Sequence, residues 1–433
     1  MKNINVALLG FGTVGSGVAE TIRKNGKLIE DSIGCHFTIT HVLVRHPEKY
    51  RDLEILKGVR VTSSFEDIMN DGSVEIVIEV MGGIHPAKEY IFEALNHHIS
   101  VVSANKDLVA LFGPEIMHTA MDNHVNFNCE ASVGGGIPIL RPLHDSLAAN
   151  EIERIVGIVN GTTNFILSNM DEAGVSYGDA LRVAQKKGYA EADPTNDVAG
   201  YDAARKLAIL ASIGFHANVT FDDVLVEGIE KISQNDVQYA SEMGYTIKLL
   251  AVALRQENGI ALNVYPAFVP RSHPLASVKG SYNAIYVTGN IVDDVMFYGC
   301  GAGSLPTASA VMGDVISTAK HIMNHSTGTG MMLTETKRIP FYSSLKLENS
   351  YYFRLIVDDV TGVLSQIASA YADNDISIKE VVQKSRIEDA AELMIITEKT
   401  PRENIIHVEK ALQVLPCMRQ VANIIRVLED DRK

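Results

Sequence analysis

Cysteines, long apolar segments and basic residues are all scarce in this chain of 433 residues. The four cysteines are Cys35, Cys129, Cys300 and Cys417, and no two of them form a CxxC pair, which excludes a disulfide framework and a cysteine-based zinc site. No apolar run approaches the ~20 residues that span a bilayer. With 38 lysines and arginines against 53 aspartates and glutamates, the net charge of -15 disfavours nucleic acid as a partner.

The residues that are present indicate a globular protein of several domains. Hydrophobic residues make up 46% of the chain and charged residues 21%, as in globular proteins with a full core. The length corresponds to about two to four domains. Met1–Gly10 leads into a strand-like segment without signal-peptide architecture. Together with the few cysteines, this predicts a cytoplasmic protein with no membrane partner.

The N-terminal part of the sequence has the pattern of a parallel sheet. Short apolar runs alternate with helix-length stretches over the first ~130 residues, as in βαβ units. Such runs are typical of strands buried on both faces, and they are Ile4–Leu9, Thr38–Val44, Glu75–Val80, Ser100–Val102 and Val125–Cys129. We therefore predict a Rossmann-type nucleotide-binding fold over residues 1–135, completed by a helix over residues 305–325.

The middle and C-terminal parts have other patterns. Helical periodicity and a hairpin around Gly289-Asn290 predict an α+β domain with a mixed sheet over 136–304. Residues 326–350 are rich in Ser, Thr and Gly and are interpreted as a linker. From 351 to 433 the order β-α-β-β-α-β predicts a ferredoxin-like domain. The predicted fold class is thus α/β.

A glycine loop follows the first predicted strand. Gly10, Gly12 and Gly15, separated by Phe11 and by Thr13-Val14, allow a tight turn and let a pyrophosphate approach a helix N-terminus. The predicted strand before this loop and the predicted helix after it favour dinucleotide binding over an incidental turn. Arg45 stands where NAD-selective proteins usually have an acidic residue, which favours NADP, although a solvated loop arginine and NAD remain alternatives. A second glycine cluster, Gly299–Gly303, suits a cofactor contact and a plain turn equally.

Two lysines have settings that indicate chemistry. Asp202 and Lys206 are four residues apart, so they lie on one face of a helix. Such spacing is usually a surface ion pair, but the surrounding helix is apolar nearly all round, which favours burial and proton transfer by the lysine. Lys106 follows the fourth strand at the sheet edge where α/β proteins bind ligands, although a surface lysine at a helix start has the same position.

The segment from Glu130 to Pro138 is a glycine-rich loop after the last predicted strand of the sheet. Its carbonyls and one carboxylate have the oxygen chemistry of a hard-cation site. From residue chemistry alone, a tight crossover turn between domains explains the loop better. Cys129 beside it is a candidate nucleophile, but an inert buried cysteine is the commoner case.

Six segments together resemble homoserine dehydrogenase. They occur in the family's order across most of residues 1–325, and the longest of them is specific to that family. The segments are GFGTVG (10–15), SANKDLVA (103–110), EASVGGGIPI (130–139), GIVNGTTNFIL (157–167), GYAEADPTNDVAGYDAARKLAIL (188–210) and GAGSLPTASAV (301–311). Residues 351–428 separately resemble the ACT module, a ferredoxin-like amino-acid-binding domain of biosynthetic enzymes.

The resemblance implies reversible hydride transfer between NAD(P)H and the C4 aldehyde of aspartate semialdehyde, giving homoserine for threonine, methionine and isoleucine biosynthesis. The resemblance also implies that 136–304 is the catalytic and oligomerisation domain. By motif, Lys206 is implied as the acid-base residue and Glu191 and Asp202 as substrate ligands. Lys106 is implied at the nucleotide site within reach of the substrate, so which lysine donates the proton stays open. The implied cofactor contacts are Phe11, Thr13, Val14, Gly188 and Gly303, and the implied sodium ligands are Glu130, Val133, Gly135 and Ile137.

The ACT-like segment has a candidate effector site between Asp359 and Gly362. Exposed N–H groups at a helix start suit an amino-acid carboxylate, and Asp359 can bind the ammonium. The expected effector is threonine. ACT modules usually pair side by side, so a homo-oligomer, dimer or tetramer, is expected. Thr361 stands where the family often has proline, and a domain kept only for assembly is the alternative.

Two other classes of function stay open at this point. One is a different NADP-dependent amino-acid or semialdehyde dehydrogenase. The phosphorylating semialdehyde type requires a reactive cysteine, and only Cys129 is a candidate. A cofactor sensor without activity fits the glycine loop and Arg45, but it leaves the Glu191, Asp202 and Lys206 cluster without a purpose.

Overall fold

The computed structural model describes residues 2–328, 339–387 and 389–429, with 385–387 described by their backbone alone. Residues 329–338 of the predicted linker, and residues 388 and 430–433 of the predicted C-terminal domain, lie outside the described residues. No helix in the described ranges is long and apolar enough to cross a membrane.

The chain divides into two compact units. The first lies within Met1–Ile155, Arg205–Asp223 and Asn283–Ile339. The second lies within Val156–Ala204, Val224–Tyr282 and Pro340–Lys433.

The strands and helices of both units are numbered along the chain. The strands are β1 (Lys2–Leu9), β2 (Cys35–Leu43), β3 (Arg60–Thr62), β4 (Ile76–Glu79), β5 (Ser100–Ser103), β6 (Phe127–Asn128), β7 (Ile152–Ile158), β8 (Leu225–Val226), β9 (Tyr245–Gln256), β10 (Gly259–Pro270), β11 (Tyr282–Gly289), β12 (Asp293–Cys300), β13 (Glu348–Asp358), β14 (Ile378–Ile387), β15 (Ala390–Thr397), β16 (Thr400–Pro401) and β17 (Met418–Val427). The helices are α1 (Thr13–Ile33), α2 (Glu66–Met69), α3 (Ala87–Asn96), α4 (Lys106–Asp122), α5 (Gly161–Ala173), α6 (Tyr177–Lys186), α7 (Thr195–Val198), α8 (Tyr201–Phe215), α9 (Gln234–Glu242), α10 (Ser304–Met323), α11 (Val363–Ala372) and α12 (Arg402–Gln413).

The first unit is built on a six-stranded sheet in the order β3-β2-β1-β4-β5-β6. All neighbouring strands are parallel. β4 and β5 are buried along their whole length, as expected of parallel strands that are covered on both faces. The order reverses between β1 and β4, so their carboxyl ends border the crevice where open α/β sheets bind ligands. The predicted Rossmann-type sheet is confirmed.

Helices α1 and α10 pack together on this sheet. Val18 of α1 and Val311 and Val315 of α10 are fully buried in one core with Ile4 and Val6 of β1. Burying one such side chain contributes about 1.5–3 kcal/mol. This packing holds the N-termini of two helices from distant parts of the sequence beside each other.

The second unit contains a mixed sheet, which confirms that part of the predicted fold class. β9 and β10 form a long antiparallel hairpin, and β10 pairs in parallel with β8 and β17. From β17 the sheet continues through β13 and β15 to β14. The predicted β-α-β-β-α-β order is present as β13, α11, β14, β15, α12 and β17. The C-terminal strands therefore extend the hairpin's sheet rather than forming a separate one.

A buried charge network fixes the C-terminal strands to helix α9 within the second unit. Arg354 of β13 donates to Asp236 Oδ1 at 2.7 Å and to Glu392 Oε1 at 3.0 Å. The Tyr239 hydroxyl donates to the other oxygen of Glu392 at 2.5 Å. All four side chains are buried, where a charge is tolerated only with partners.

Candidate active site

The glycine loop connects β1 to α1 as predicted. Gly10 has φ +101°, a left-handed conformation, and a Cβ there would lie 3.0 Å from the Val80 carbonyl oxygen. A Cβ at Gly15 would overlap the Gly10 carbonyl oxygen, so the loop closes only with glycine at that position. The first turn of α1 has no acidic residue and no side-chain cap. Its N–H groups are therefore suited to an anionic pyrophosphate.

The second glycine cluster ends beside this loop. Gly303 is the N-cap of α10, and the next residue, Ser304, donates its hydroxyl to the Thr13 carbonyl oxygen at 2.6 Å. A Cβ at Gly17 would lie 2.5 Å from the Ser304 carbonyl oxygen, so the two helices touch through backbone. The structure thus brings Gly303 next to Thr13.

Arg45 follows β2 at the same edge of the sheet. The Gly10 N–H donates to the carbonyl of Leu43, the last residue of β2, at 2.9 Å. Arg45 is two residues further on and is exposed. Its guanidinium forms no ion pair with any residue that the structure describes. The position suits a ribose 2′-phosphate.

The start of α4 is held by a polar network behind Lys106. Ser103 Oγ donates to Glu79 Oε2 at 2.6 Å, and the Asn105 N–H donates to Ser103 Oγ at 3.1 Å. The Asn105 side chain accepts from the Leu108 N–H at 3.3 Å and caps the helix. Lys106 is the first residue of α4 and is half-buried. It lies at the carboxyl edge of the sheet, as the sequence predicts.

Helix α8 carries Asp202 and Lys206. The predicted burial of this helix is confirmed, since Ala203, Ala204 and Leu207 are at most 2% exposed. Asp202 belongs to the second unit and is buried, whereas Lys206 belongs to the first and is half-buried. The four-residue spacing places both side chains on one face of the helix.

Within the second unit, one amide binds two carboxylates. Asn160 Nδ2 donates to Asp202 Oδ2 at 2.8 Å and to Asp197 Oδ1 at 2.7 Å. Asn160 Oδ1 in turn accepts from the Thr163 N–H at 2.8 Å, capping α5. Asp202 is therefore held in a fixed orientation by the start of a neighbouring helix. Asn160 was not among the predicted site residues, although it belongs to a segment that resembles the family.

Gly188 and Glu191 belong to the turn after α6 in the second unit. Gly188 has φ +76°. The carbonyl oxygen of Tyr189 accepts from Thr162 Oγ1 at 2.6 Å, and that of Glu191 accepts from Gln185 Nε2 at 3.1 Å. These bonds hold the backbone of the turn, and the Glu191 side chain is exposed.

The loop predicted to bind a cation is buried in the first unit. The Glu130 carboxylate accepts the backbone N–H groups of Ile139 (2.5 Å), Leu140 (2.7 Å) and Arg141 (2.8 Å). Its charge is thus directed at the start of the next helical turn. Gly135 has φ +56°, and a Cβ there would overlap the Gly301 carbonyl oxygen, so this loop touches the second glycine cluster.

Three residues of this loop have carbonyl groups without a hydrogen-bond donor among the described residues. Val133, Gly135 and Ile137 are buried. Among the described residues, none donates a hydrogen bond to their carbonyl oxygens. Buried carbonyls are nearly always paired, so this set is unusual. The described residues contain no group of three or more His, Cys, Asp or Glu side chains arranged to hold a metal.

Asp314 and Arg141 support the same loop and were missed by the sequence reasoning. Asp314 Oδ2 accepts from the Glu130 N–H at 2.7 Å, and its other oxygen pairs with Arg141. Burial raises the pKa of Asp314 to about 7, and the nearby Arg141 opposes this shift. A single aspartate in a long apolar helix gives no sequence signal for such a role.

Cys129 is a poor nucleophile in this environment. It is 1% exposed, and burial together with the Asp314 and Glu130 carboxylates raises the pKa of its thiol far above the ordinary range. A thiolate is the reactive form of cysteine, so this position favours an inert thiol.

The candidate effector loop precedes α11 in the second unit. Gly362 is the N-cap of α11 with φ +90° and provides no side-chain cap, and the first turn of the helix has no acidic residue. The Asp359 N–H donates to the Asp389 carbonyl oxygen at 3.0 Å. Thr361 and Gly362 are exposed, so the helix start is accessible to solvent.

Comparison with known proteins identifies the family. The family models described as "Homoserine dehydrogenase, NAD binding domain" and "Homoserine dehydrogenase" match residues 10–130 and 138–316. The homoserine dehydrogenase of Bacillus subtilis strain 168 is 40% identical over 429 residues, covering 99% of each chain. The crystal structure of a homoserine dehydrogenase from Thiobacillus denitrificans has a TM-score of 0.93 at 37% identity, covering 99% of both chains. A hyperthermophilic archaeal homoserine dehydrogenase in complex with NADPH has a TM-score of 0.63 at 26% identity, covering 73% of this chain and 98% of that one. The chain therefore belongs to the homoserine dehydrogenase family, NAD(P)-dependent oxidoreductases that act on a CH–OH group.

Proposed function

We propose that Lys206 is the acid-base residue for the interconversion of L-aspartate 4-semialdehyde and L-homoserine. The observation that carries this proposal is helix α8, a buried apolar helix that has Asp202 and Lys206 on one face. The nicotinamide cofactor, when bound, supplies the hydride that reaches C4. Lys206 donates a proton to the oxygen on C4 during reduction and accepts it during oxidation, so charge balances in both directions.

Asp202 and Glu191 are the proposed substrate ligands. The substrate has an ammonium group, which a carboxylate binds through charge-assisted hydrogen bonds. The amide of Asn160 orients Asp202 before substrate arrives, which reduces the entropy lost on binding. Membership of the homoserine dehydrogenase family excludes two alternatives, a cofactor sensor without activity and a phosphorylating semialdehyde dehydrogenase. The burial of Cys129 agrees with this conclusion.

Apart from Gly188, the proposed cofactor contacts belong to the first unit, and the positions of three of its segments support their assignment. Residues 10–15 fit the pyrophosphate, Gly303 lies beside Thr13, and Lys106 begins α4 at the carboxyl edge of the sheet. Gly188 of the second unit is carried over from the family motif. Arg45 is proposed to bind the 2′-phosphate of NADP, in keeping with the archaeal relative solved in complex with NADPH.

Arg45→Asp is expected to reverse or flatten a preference for NADPH over NADH. An exposed arginine-phosphate contact contributes roughly 1.4 kcal/mol, so kcat/KM with NADPH should fall about tenfold. Arg51→Asp is the matched control, since it makes the same charge change at another exposed arginine further along the chain from β2. The ratio of kcat/KM for the two cofactors is the measurement. A wild-type enzyme that prefers NADH would contradict this role of Arg45.

We also propose that the loop from Glu130 to Ile137 binds a sodium ion. The carbonyl oxygens of Val133, Gly135 and Ile137, which accept no bond from the described residues, are oxygen ligands suited to a hard cation. From the described part of the chain, the Glu130 carbonyl accepts one long hydrogen bond, from the Val133 N–H at 3.4 Å. A bound cation would have a structural role. Its positive charge would hold these carbonyl groups together and keep the loop against Gly301.

Sodium is expected to raise the Tm, and EDTA is expected to leave activity unchanged. A ligand that binds only the folded state stabilises it by about RT ln(1 + [L]/Kd). Thermal unfolding in NaCl and in choline chloride of equal ionic strength separates specific binding from screening. Loss of activity in EDTA that zinc restores would show that a transition metal is used instead.

Regulation by threonine through an ACT-type C-terminal domain completes the proposal. Its support is the β-α-β-β-α-β order and the accessible start of α11, where Gly362 and Asp359 would bind the carboxylate and ammonium of an amino acid. We further propose a homo-oligomer, dimer or tetramer, paired through these domains, in a reducing cytoplasm suited to four free thiols. Because β17 pairs with β10, deleting the segment would expose a strand edge. Point substitutions therefore test regulation better than truncation.

A further inference from the structure

A cavity lies within the second unit, away from the residues assigned to the proposed function. Its volume is about 590 Å³, within the range of small-molecule sites. One wall is formed by α12 and β17, and the facing wall is formed by residues 226–232. The sequence alone gave no sign of this cavity, since its walls come from three distant segments.

The cavity contains an anchored charge cluster. Glu227 accepts from Arg426 Nη1 at 2.9 Å and Nη2 at 3.0 Å, and from Arg402 Nη2 at 2.7 Å. Arg426 is 6% exposed, and its guanidinium lies 4.3 Å from the centre of the Tyr265 ring. Glu227 and Arg426 thus neutralise each other, whereas Arg402 uses one of its guanidinium nitrogens here.

Charges of both signs remain for a ligand. Arg402 retains further N–H donors, and Lys231 in the same lining forms no ion pair with any described residue. Glu230 and Glu409 line the cavity as well, likewise without an ion pair in the described ranges. The lining therefore offers donors to a carboxylate and acceptors to an ammonium.

The wall formed by α12 and β17 also carries apolar side chains. Ile405 and Ile406 of α12 and Val421 and Ile424 of β17 line it. A ligand that contacts the donors, the acceptors and these apolar side chains has a carboxylate, an ammonium and an apolar side chain. We propose that this cavity binds an apolar α-amino acid.

The cavity wall touches the segment that precedes Asp202. The Ile229 N–H donates to the Val198 carbonyl oxygen at 2.9 Å, and a Cβ at Gly228 would overlap that same oxygen. A Cβ at Gly200 would lie 3.0 Å from Val226 Cγ1. A ligand that shifts residues 226–229 must shift the turn at Val198–Gly200. Binding in the cavity is therefore coupled to the position of Asp202, a regulatory consequence that rests on the proposed function.

A tryptophan reporter tests binding without relying on activity. The chain has no tryptophan, so Ile406→Trp places a single fluorophore in the cavity wall. Val414→Trp, at the end of the same helix and 78% exposed, is the control. We expect L-isoleucine to change the emission of the first variant saturably and to leave the second unchanged. Glycine, a zwitterion without a side chain, should bind at least about tenfold more weakly.

Equilibrium dialysis of radiolabelled L-isoleucine repeats the test on the unaltered chain, in case the new tryptophan fills the cavity. Arg402→Ala should weaken binding about tenfold or more, the effect of losing a charge-assisted hydrogen bond. Arg419→Ala, on the same strand β17 but outside the lining, should leave affinity within about twofold, as expected of an exposed ion pair. Absence of binding to the unaltered chain, or equal losses in both variants, would overturn the proposal.

The coupling is tested by reciprocity. Saturating L-homoserine should shift the isoleucine Kd measured by dialysis, because coupled sites alter each other's affinity equally. An unchanged Kd would overturn the coupling. An enzyme that oxidises homoserine but binds no isoleucine overturns this inference alone. A protein that binds isoleucine but does not oxidise homoserine overturns the proposed function instead.

Discussion

Lys206→Ala is expected to lower kcat by about 10²–10⁴-fold, the usual effect of losing a general acid. The side chain lies on helix α8, whose neighbouring residues are buried, so the substitution removes a charged group from a rigid apolar support. Cofactor affinity should stay within about twofold of wild type, because an interaction made only in the transition state lowers kcat without weakening ground-state binding. Steady-state kinetics and NADPH fluorescence titration measure the two quantities separately.

Lys106→Ala distinguishes the two candidate proton donors. Lys106 begins α4 at the sheet edge, and a nucleotide-site role predicts a raised KM for cofactor with a smaller loss of kcat. Lys320→Ala, an exposed lysine near the end of α10, controls for loss of a helical lysine in the first unit. If the Lys106 variant loses kcat and the Lys206 variant keeps it, the two roles must be exchanged.

Asp202→Asn is expected to lower kcat/KM for homoserine by about 150-fold, corresponding to about 3 kcal/mol for a desolvated charge contact. The asparagine keeps the size of the side chain and can still accept from Asn160 Nδ2, so the loss is one of charge. KM for the cofactor and the Tm should change little. Kinetics with each substrate varied in turn, together with thermal unfolding, provides the measurement.

Asp197→Asn is the matched control for this substitution. Asp197 accepts from the same Asn160 amide at a similar distance, 2.7 Å against 2.8 Å, so both variants perturb the same hydrogen-bonded support. Only Asp202 is proposed to bind substrate. Equal losses in the two variants would assign Asp202 to support of α5 and α8 rather than to substrate binding.

The parallel sheet of the first unit was predictable because its strands are buried on both faces. Continuous apolar runs such as Ile4–Leu9 and Glu75–Val80 correspond to β1 and β4 within a few residues. β3 was not predicted, since Arg60–Thr62 is too short to give a pattern. The hairpin of β9 and β10 was also not predicted, although both strands are largely buried and long.

Parts of the site could not be predicted because they depend on contacts between distant segments. Asn160 orients Asp202 across 42 positions of sequence, and an amide has no periodic signature. Glu130 has the residue chemistry of a cation ligand, yet its carboxylate binds three backbone N–H groups. The proposed cation ligands are therefore the carbonyl oxygens of the loop rather than this carboxylate. The glycine positions, in contrast, follow from the backbone conformation that the loop between β1 and α1 requires.

The most direct test of the proposed function is absorbance at about 340 nm, where reduced nicotinamide absorbs, with purified enzyme, L-homoserine and NADP at alkaline pH. Alkaline solution favours oxidation because the reaction releases a proton. The account predicts a rise in absorbance that requires homoserine and is lost in Lys206→Ala. Folded enzyme that gives no rise with either NADP or NAD would contradict the proposed reaction.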